Sequence, residues 1–252
     1  MIDIAAIITT RNRPTFLRRA LYSVAQQRYQ PAEVIVVDDA SDYDVARLLR
    51  SSPISVRLIR LPEHRGASGT RNIGAAAARS SVLAFLDDDD EWLPDYLERV
   101  AHAFLHGRAE VSCCSFIAVS SSGEEYDEKA APVRLIGRDF LVRNPGLRGS
   151  NLAVAAEVFT AVGGFDEALP SFNDIDIGIR LADANLRYVP ISERLVRYHA
   201  HDGLRLSTPG TTLKKETCRL FLAKHGARMS LQDRHYFCHK ARTMWKVSIE
   251  SD

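Results

Sequence analysis

The alternation of short apolar runs with helix-periodic stretches over the first hundred residues is what most constrains this chain. Ile4 to Thr9, Val34 to Val37, Val56 to Leu61 and Val82 to Leu86 have the length and apolar character of buried strands. Between them lie helical stretches. Pro14 opens the first, with Phe16, Leu17, Ala20, Leu21, Val24 and Ala25 at helical spacing. Ser41 and Asp44 read as a capping box for the second, which runs through Leu49. The third is the small-residue stretch GASGTRNIGAAAA, and a fourth runs from Pro94 towards His106, with Gly107 as its stop. This β-α-β-α-β-α-β order predicts an α/β fold with a doubly wound, mostly parallel sheet.

The carboxyl ends of such strands share one edge of the sheet, where ligands bind. Three of them run into polar residues: Thr9 into Arg11-Asn12, Val37 into Asp38-Asp39, and Leu86 into Asp87 to Asp90. These groups therefore converge on one crevice. Four adjacent carboxylates repel one another unless water screens them or a cation holds them. A hard divalent cation that itself grips a phosphate would satisfy both the acids and their position. The plainer alternative is an acidic cap on the helix near Pro94, a role expected of one of the four. A calcium loop starting at Asp87 is rejected, because its sixth position needs glycine and is Trp92. No strand is followed by GxGxxG or by a phosphate loop ending in Gly-Lys-Ser/Thr, and the pair Gly66 and Gly69 reads as a turn.

The chain has 252 residues, 46% hydrophobic and 26% charged, as in a globular protein with a sizeable core. A net charge of +1 points to no nucleic-acid partner. No apolar run approaches the roughly 20 residues of a membrane span. The first residues lack the pattern of a secretory leader and read as a strand. Cys113, Cys114, Cys218 and Cys238 have no metal-ligand spacing, and unpaired thiols fit a cytoplasmic protein.

Beyond the fourth helix, Glu110 to Val119 reads as a strand, Ser120 to Ala131 as a polar surface loop, and Asn144 to Asn151 as irregular. Glu157 to Val162 reads as a helix ended by Gly163-Gly164. A second acidic cluster follows, in which Asp174 and Asp176 precede or open a helix, and capping explains Asp176 as well as chemistry does. Leu186 to Ile191 and Leu195 to His199 read as two strands. The tail reads as helices over Thr212 to His225 and Leu231 to Ile249, the latter capped by Ser230 with Asp233. From Arg205 onward ten Lys or Arg face four acids, a net of +6. A helix packed on the core with a solvated basic face, or peripheral contact with an anionic membrane, would both account for it.

The succession TTRNRP, VVDDAS, GTRNIGAAAA, FLDDDDEW, GGFDEAL and NDIDIGIRL resembles family 2 glycosyltransferases of the GT-A fold, in order and spacing, from Ile4 to about Ser207. The resemblance implies a catalytic domain over 1–207, with a nucleotide-sugar half (1–107) and an acceptor half (108–207), followed by a helical extension over 208–252. It implies an inverting transfer from a nucleotide-sugar donor, usually a UDP-sugar, to a hydroxyl of a glycan, a lipid-linked sugar or a small natural product. By position, Thr9 and Arg11 would border the nucleobase, Asp39 would bond its imide N–H, and Arg71 would lie near the diphosphate or the acids. Asp87 and Asp89 match the family's DXD, with Asp88 as its middle residue. Asp87 would face ribose and metal, Asp89 would bind Mn²⁺ or Mg²⁺ directly, and His201 would sit near the metal or diphosphate. Asp174 matches the general base. Three positions depart from the pattern: Arg11 stands where an aromatic is frequent, Asp88 where a small residue is usual, and Asn173 where a glutamate is common. The last removes a neighbouring charge that would raise the base's pKa. Two alternatives remain, an inactive sugar-nucleotide-binding protein and a nucleotidylyltransferase. The latter would show a glycine-rich phosphate loop after the first strand, and TTRNRP has no glycine.

Overall fold

The computed structural model describes residues 2–200 and 208–249, without the side chain of residue 127. Among the described residues nine strands form one sheet. Its N-terminal half consists of β1 (Ile4–Thr10), β2 (Glu33–Asp38), β3 (Arg57–Arg60) and β4 (Val82–Asp87), all parallel, in the order β3-β2-β1-β4. The crossovers are α1 (Pro14–Ala25), α2 (Val45–Leu49) and α3 (Gly66–Ala77).

Both faces of β1, β2 and β4 are buried, which explains their unbroken apolar runs; β3, expected as a buried strand, is instead the half-buried edge strand and is flanked by exposed arginines. Ile4, Ala6 and Ile8 of β1, with Val82, Ala84 and Leu86 of β4, point into one core with α1 and with α4 (Tyr96–Leu105). Ala5, Ile7, Leu83 and Phe85 point into the other. The period of two therefore sorts one strand between two cores. On that second face α3 lies close to the sheet: a Cβ at Gly74 would come within 2.5 Å of Ile7 Cγ2. That close approach accounts for the helix's small residues.

After β4 the sheet turns mixed. β8 (Leu152–Ala155) runs antiparallel to β4, and β6 (Val111–Val119) antiparallel to β8. β9 (Tyr188–His199) lies parallel to β6 and pairs antiparallel with the short β5 (Glu91–Trp92). The two strands expected over Leu186 to His199 are thus one, with its register shifting at the Cys114–Phe116 edge of β6. The expected loop after residue 120 is a hairpin instead, with β7 (Glu125–Lys129) pairing on β6. Its charged side chains hide the strand pattern, as they do at many sheet edges. The α2 cap also differs. Asp44 caps it alone through Arg47 N, whereas Ser41 N donates to Asp38 Oδ1.

The second core is completed by α5 (Gly137–Val142), α6 (Ala156–Ala161) and α7 (Asn173–Asp183), and by the tail helices α8 (Thr212–His225) and α9 (Leu231–Thr243). Cys218, Phe221, Phe237, Cys238 and Ala241 of the tail are buried there. Phe172 packs edge-on to Phe221 and Phe237 and lies 4.8 Å from the Trp245 ring. The tail therefore packs on the core. Ser230 and Asp233 form the expected capping box, but α9 stops at Thr243, and the chain folds back so that Val247 N donates to Ala241 O. All four cysteines are free and buried.

Candidate active site

In register, Thr9 pairs with Val37 of β2 on one side and with Asp87 of β4 on the other. The three strand ends are therefore level, and the chain reverses just beyond them, where Asp90 N donates to Asp87 O at 3.1 Å. This turn splays the four aspartates. Asp87 faces Arg71, whose Nη2 lies 2.5 Å from its Oδ1, and Asp89 takes Arg13 Nη1 at 2.9 Å. Asp88 turns inward to accept from Thr10 Oγ1 at 2.7 Å and from Arg13 at 3.2 Å. Burial, reinforced by the Asp89 charge, pushes its carboxyl up to about 7. Asp90 is fully buried and accepts from Ser150 Oγ at 2.5 Å and from His199 N at 3.2 Å. Burial and the charges of Asp89 and Asp87 push its carboxyl well above its ordinary value. None of the four caps α4, whose N-cap is Asp95.

One carboxylate oxygen each of Asp87, Asp89 and Asp90 can lie within 4.8 Å of the others. Hard oxygen ligands around concentrated negative charge suit a divalent cation such as Mn²⁺ or Mg²⁺. Asp87 and Asp89 are thus together as the DXD reading expects. Asp90 joins them, Asp88 turns away, and His201 lies outside the described residues. His199, two residues earlier, has Nε2 at 2.6 Å from Glu91 Oε1.

On the nucleotide side, Thr9 is buried at the strand end and Arg11 is exposed. Asp39 already accepts from Arg65 N at 2.7 Å, Gly66 N at 3.0 Å and His64 Nδ1 at 2.6 Å. These bonds fix the loop that opens α3, from which Arg71 reaches the acids. The Arg71 guanidinium is buried over the Phe165 ring, and its Nε and Nη1 have no hydrogen-bond partner. Buried donors left unspent cost free energy, and an anionic oxygen entering the crevice would satisfy them.

Asp174 sits in the first turn of α7. Phe172, in the left-handed region at φ 65°, ends the preceding loop. Asn144 Nδ2 donates to Asp174 Oδ2 and Ile175 N to Oδ1, each at 2.9 Å. Burial raises the Asp174 carboxyl above its ordinary value, against the opposing charges of Arg148 and Arg71. Asp176, about 200° further round the helix, points elsewhere. It is buried against Arg180 at 2.6 Å, Lys224 at 2.7 Å and His225 at 2.8 Å. It ties α7 to α8 and is no helix cap.

Sequence reasoning passed over Arg13, Asp90, Asn144, Arg148 and Ser150. Three of these lie in NPGLRGSN, whose glycines and proline marked an irregular segment without saying which side chains it aims inward.

Residues 5–160 match the family model described as Glycosyl transferase family 2. An uncharacterized glycosyltransferase of Haemophilus influenzae is 29% identical over 187 residues, covering 71% of this chain and 61% of that protein. The amylovoran biosynthesis glycosyltransferase AmsB of Erwinia amylovora is 25% identical over 210 residues, covering 79% and 70%. The chain spans between 33% and 61% of the length of the first three curated relatives it matches. Among solved structures, S. aureus TarS 1–349 in complex with UDP-GlcNAc superposes with a TM-score of 0.73 at 18% identity, covering 98% of this chain and 74% of that one. That likeness shows the fold, a GT-A α/β fold. Strand order, acidic turn and family match agree, and the chain belongs to glycosyl transferase family 2.

Proposed function

We propose that this chain moves a sugar from a nucleotide-sugar donor, a UDP-sugar, to an acceptor hydroxyl, with inversion at the anomeric carbon and dependence on Mn²⁺ or Mg²⁺. One observation supports it most: Arg71 links two separate carboxylate sites. Its Nη2 lies 2.5 Å from Asp87, and its guanidinium packs against Gly149 of the loop whose Asn144 donates to Asp174. Acids suited to a diphosphate-bound cation and a carboxylate of raised basicity thus belong to one crevice.

In this reading residues 1–107 bind the donor, with Thr9, Arg11 and Asp39 bordering the nucleobase. Residues 108–207 bind the acceptor, and 208–252 extend the second core. Asp174 takes the proton of the acceptor hydroxyl. The hydroxyl oxygen bonds to the anomeric carbon from one side as the carbon–phosphate oxygen bond breaks on the other. One displacement inverts the centre. The electron pair leaves on the diphosphate, where Arg71 can spend its free donors. Asp87, Asp89 and Asp90 would hold a divalent ion, which would supply Lewis-acid stabilisation of that leaving group. Asp88 holds the turn through Thr10 and Arg13. A carboxylate with its pKa raised towards neutrality is the better base. The family match removes the support for a nucleotidylyltransferase. An inactive sugar-nucleotide binder would lack any step at Asp174.

The test is Asp174→Asn, which preserves shape and removes the proton acceptor. Turnover should fall by about 10²–10⁴ with donor affinity little changed. The anomeric configuration of the parent's product, read by NMR, should be inverted. Near-normal turnover or a retained configuration would contradict the proposal.

Among the described residues no helix is long and apolar enough to cross a membrane. Leu231, Tyr236 and Met244 of the tail are nonetheless exposed among its basic residues. They support a peripheral membrane contact through α9 and the turn that follows it.

A further inference from the structure

The cations around the crevice fall into two sets. On the donor side Arg13, Arg19 and Arg71 each lie against a carboxylate. On the acceptor side Arg148, Lys129, Lys214 and Lys240 form no ion pair among the described residues. The Arg148 guanidinium lies over the neighbouring rings of Phe116 and Tyr198, at 4.9 and 4.2 Å, and its charge acts on Asp174. Stacking of this kind fixes the guanidinium plane and leaves its N–H edge available for a ligand.

The other three approach from different elements. Lys129 of β7 packs beside Gly146, in the loop whose Asn144 holds Asp174. Lys214 of α8 is buried, with Nζ 2.9 Å from Ser171 Oγ and 4.4 Å from the Phe172 ring. Lys240 of α9 lies 5.3 Å from the Trp245 ring, which in turn packs on Phe172. Burial, with the Lys129 charge, lowers the pKa of Lys240. Arg148 and Lys214 both act on Asp174, and none of the four cations has an ion-pair partner among the described residues, so a bound anion would offset their field.

We propose that the acceptor is anionic, presenting its hydroxyl to Asp174 while a phosphate or carboxylate group of the same molecule is gripped by Arg148, with Lys129 and Lys240 at the rim. The arginine edge matches the two oxygens of either group. The proposal rests on Asp174 marking the acceptor side, and its test does not depend on turnover.

The experiment is NMR or calorimetric titration at low salt with saturating UDP and Mg²⁺, so that the donor-diphosphate site is already filled. The ligands are two matched pairs, glucose 6-phosphate with glucose and methyl glucuronide with methyl glucoside. At least one charged member should bind about tenfold or more tightly than its neutral twin, and the favoured pair tells phosphate from carboxylate. Arg148→Gln should abolish the difference and Arg148→Lys restore part of it, with UDP affinity unchanged in both. No advantage for either charged member would overturn the inference, as would an advantage that survives Arg148→Gln. Inorganic phosphate binding as tightly as the sugar phosphate would also overturn it, since the patch would then recognise charge alone. Failure of the proposed function would appear instead as absent UDP binding or an unaffected Asp174→Asn enzyme.

Discussion

Asp176→Asn tests whether the second acidic cluster is structural. The Asp176 carboxylate is fully buried and meets two cations, Arg180 and Lys224, and the His225 ring. Removing one partner of a buried ion pair costs about 3–5 kcal/mol, because the other charge is left uncompensated. Here the Arg180 and Lys224 side chains retain 21% and 35% exposure and recover some hydration. The cost should therefore fall near or just below that range, at about 2–3 kcal/mol. For a chain of this size that lowers Tm by about 4–12 °C. A pH dependence accompanies it. Burial alone would raise the Asp176 carboxyl, but hydrogen bonds from His225 and Lys224 and the Arg180 charge outweigh it and hold the group well below its ordinary 3.8. Because the folded pKa is the lower one, this stability is present above about pH 4 and is lost as pH falls through the folded value. The assay is urea denaturation of parent and variant at pH 7 and across pH 3–5. A loss of about 1 kcal/mol or less at pH 7, the cost of a helix cap, would refute the buried-network reading. So would a difference that does not shrink on acidification.

Two further outcomes can be checked on the same protein. Gly178→Ala would bring a Cβ within 2.3 Å of Phe140 Cε1 in the α5–α7 contact, so overpacking should cost about 1–3 kcal/mol in the same denaturation assay. An unchanged midpoint would mean that Phe140 moves freely. Co-sedimentation with anionic vesicles should exceed that with neutral ones and weaken as salt rises. Background binding at low salt would end the membrane reading of α9.

The parallel half of the fold was legible because β1, β2 and β4 are buried on both faces and end at one level. Ile4 to Thr9 and Val82 to Leu86 need no tertiary knowledge to read. β7 was not legible, since EYDEK has no apolar face and pairs at an edge. In the acidic run the type of site was readable but the division of labour was not. Nothing local distinguishes Asp88, which turns to Thr10, from Asp90, which turns to Ser150 and His199. Asp176 looked like a cap because its partners Lys224 and His225 lie some fifty residues on. Asn144 and Arg148 belong to a segment without periodicity, so only the folded chain shows that both attend Asp174.

The most direct test of the account is donor turnover with and without metal in the parent and in Asp89→Ala. UDP-sugar hydrolysis or transfer should vanish in EDTA and return with Mn²⁺ or Mg²⁺. Asp89→Ala should stay folded by circular dichroism and remain inactive in both. Full activity in the chelated parent, or metal-restored activity in Asp89→Ala, would contradict a catalytic crevice built on the acidic turn.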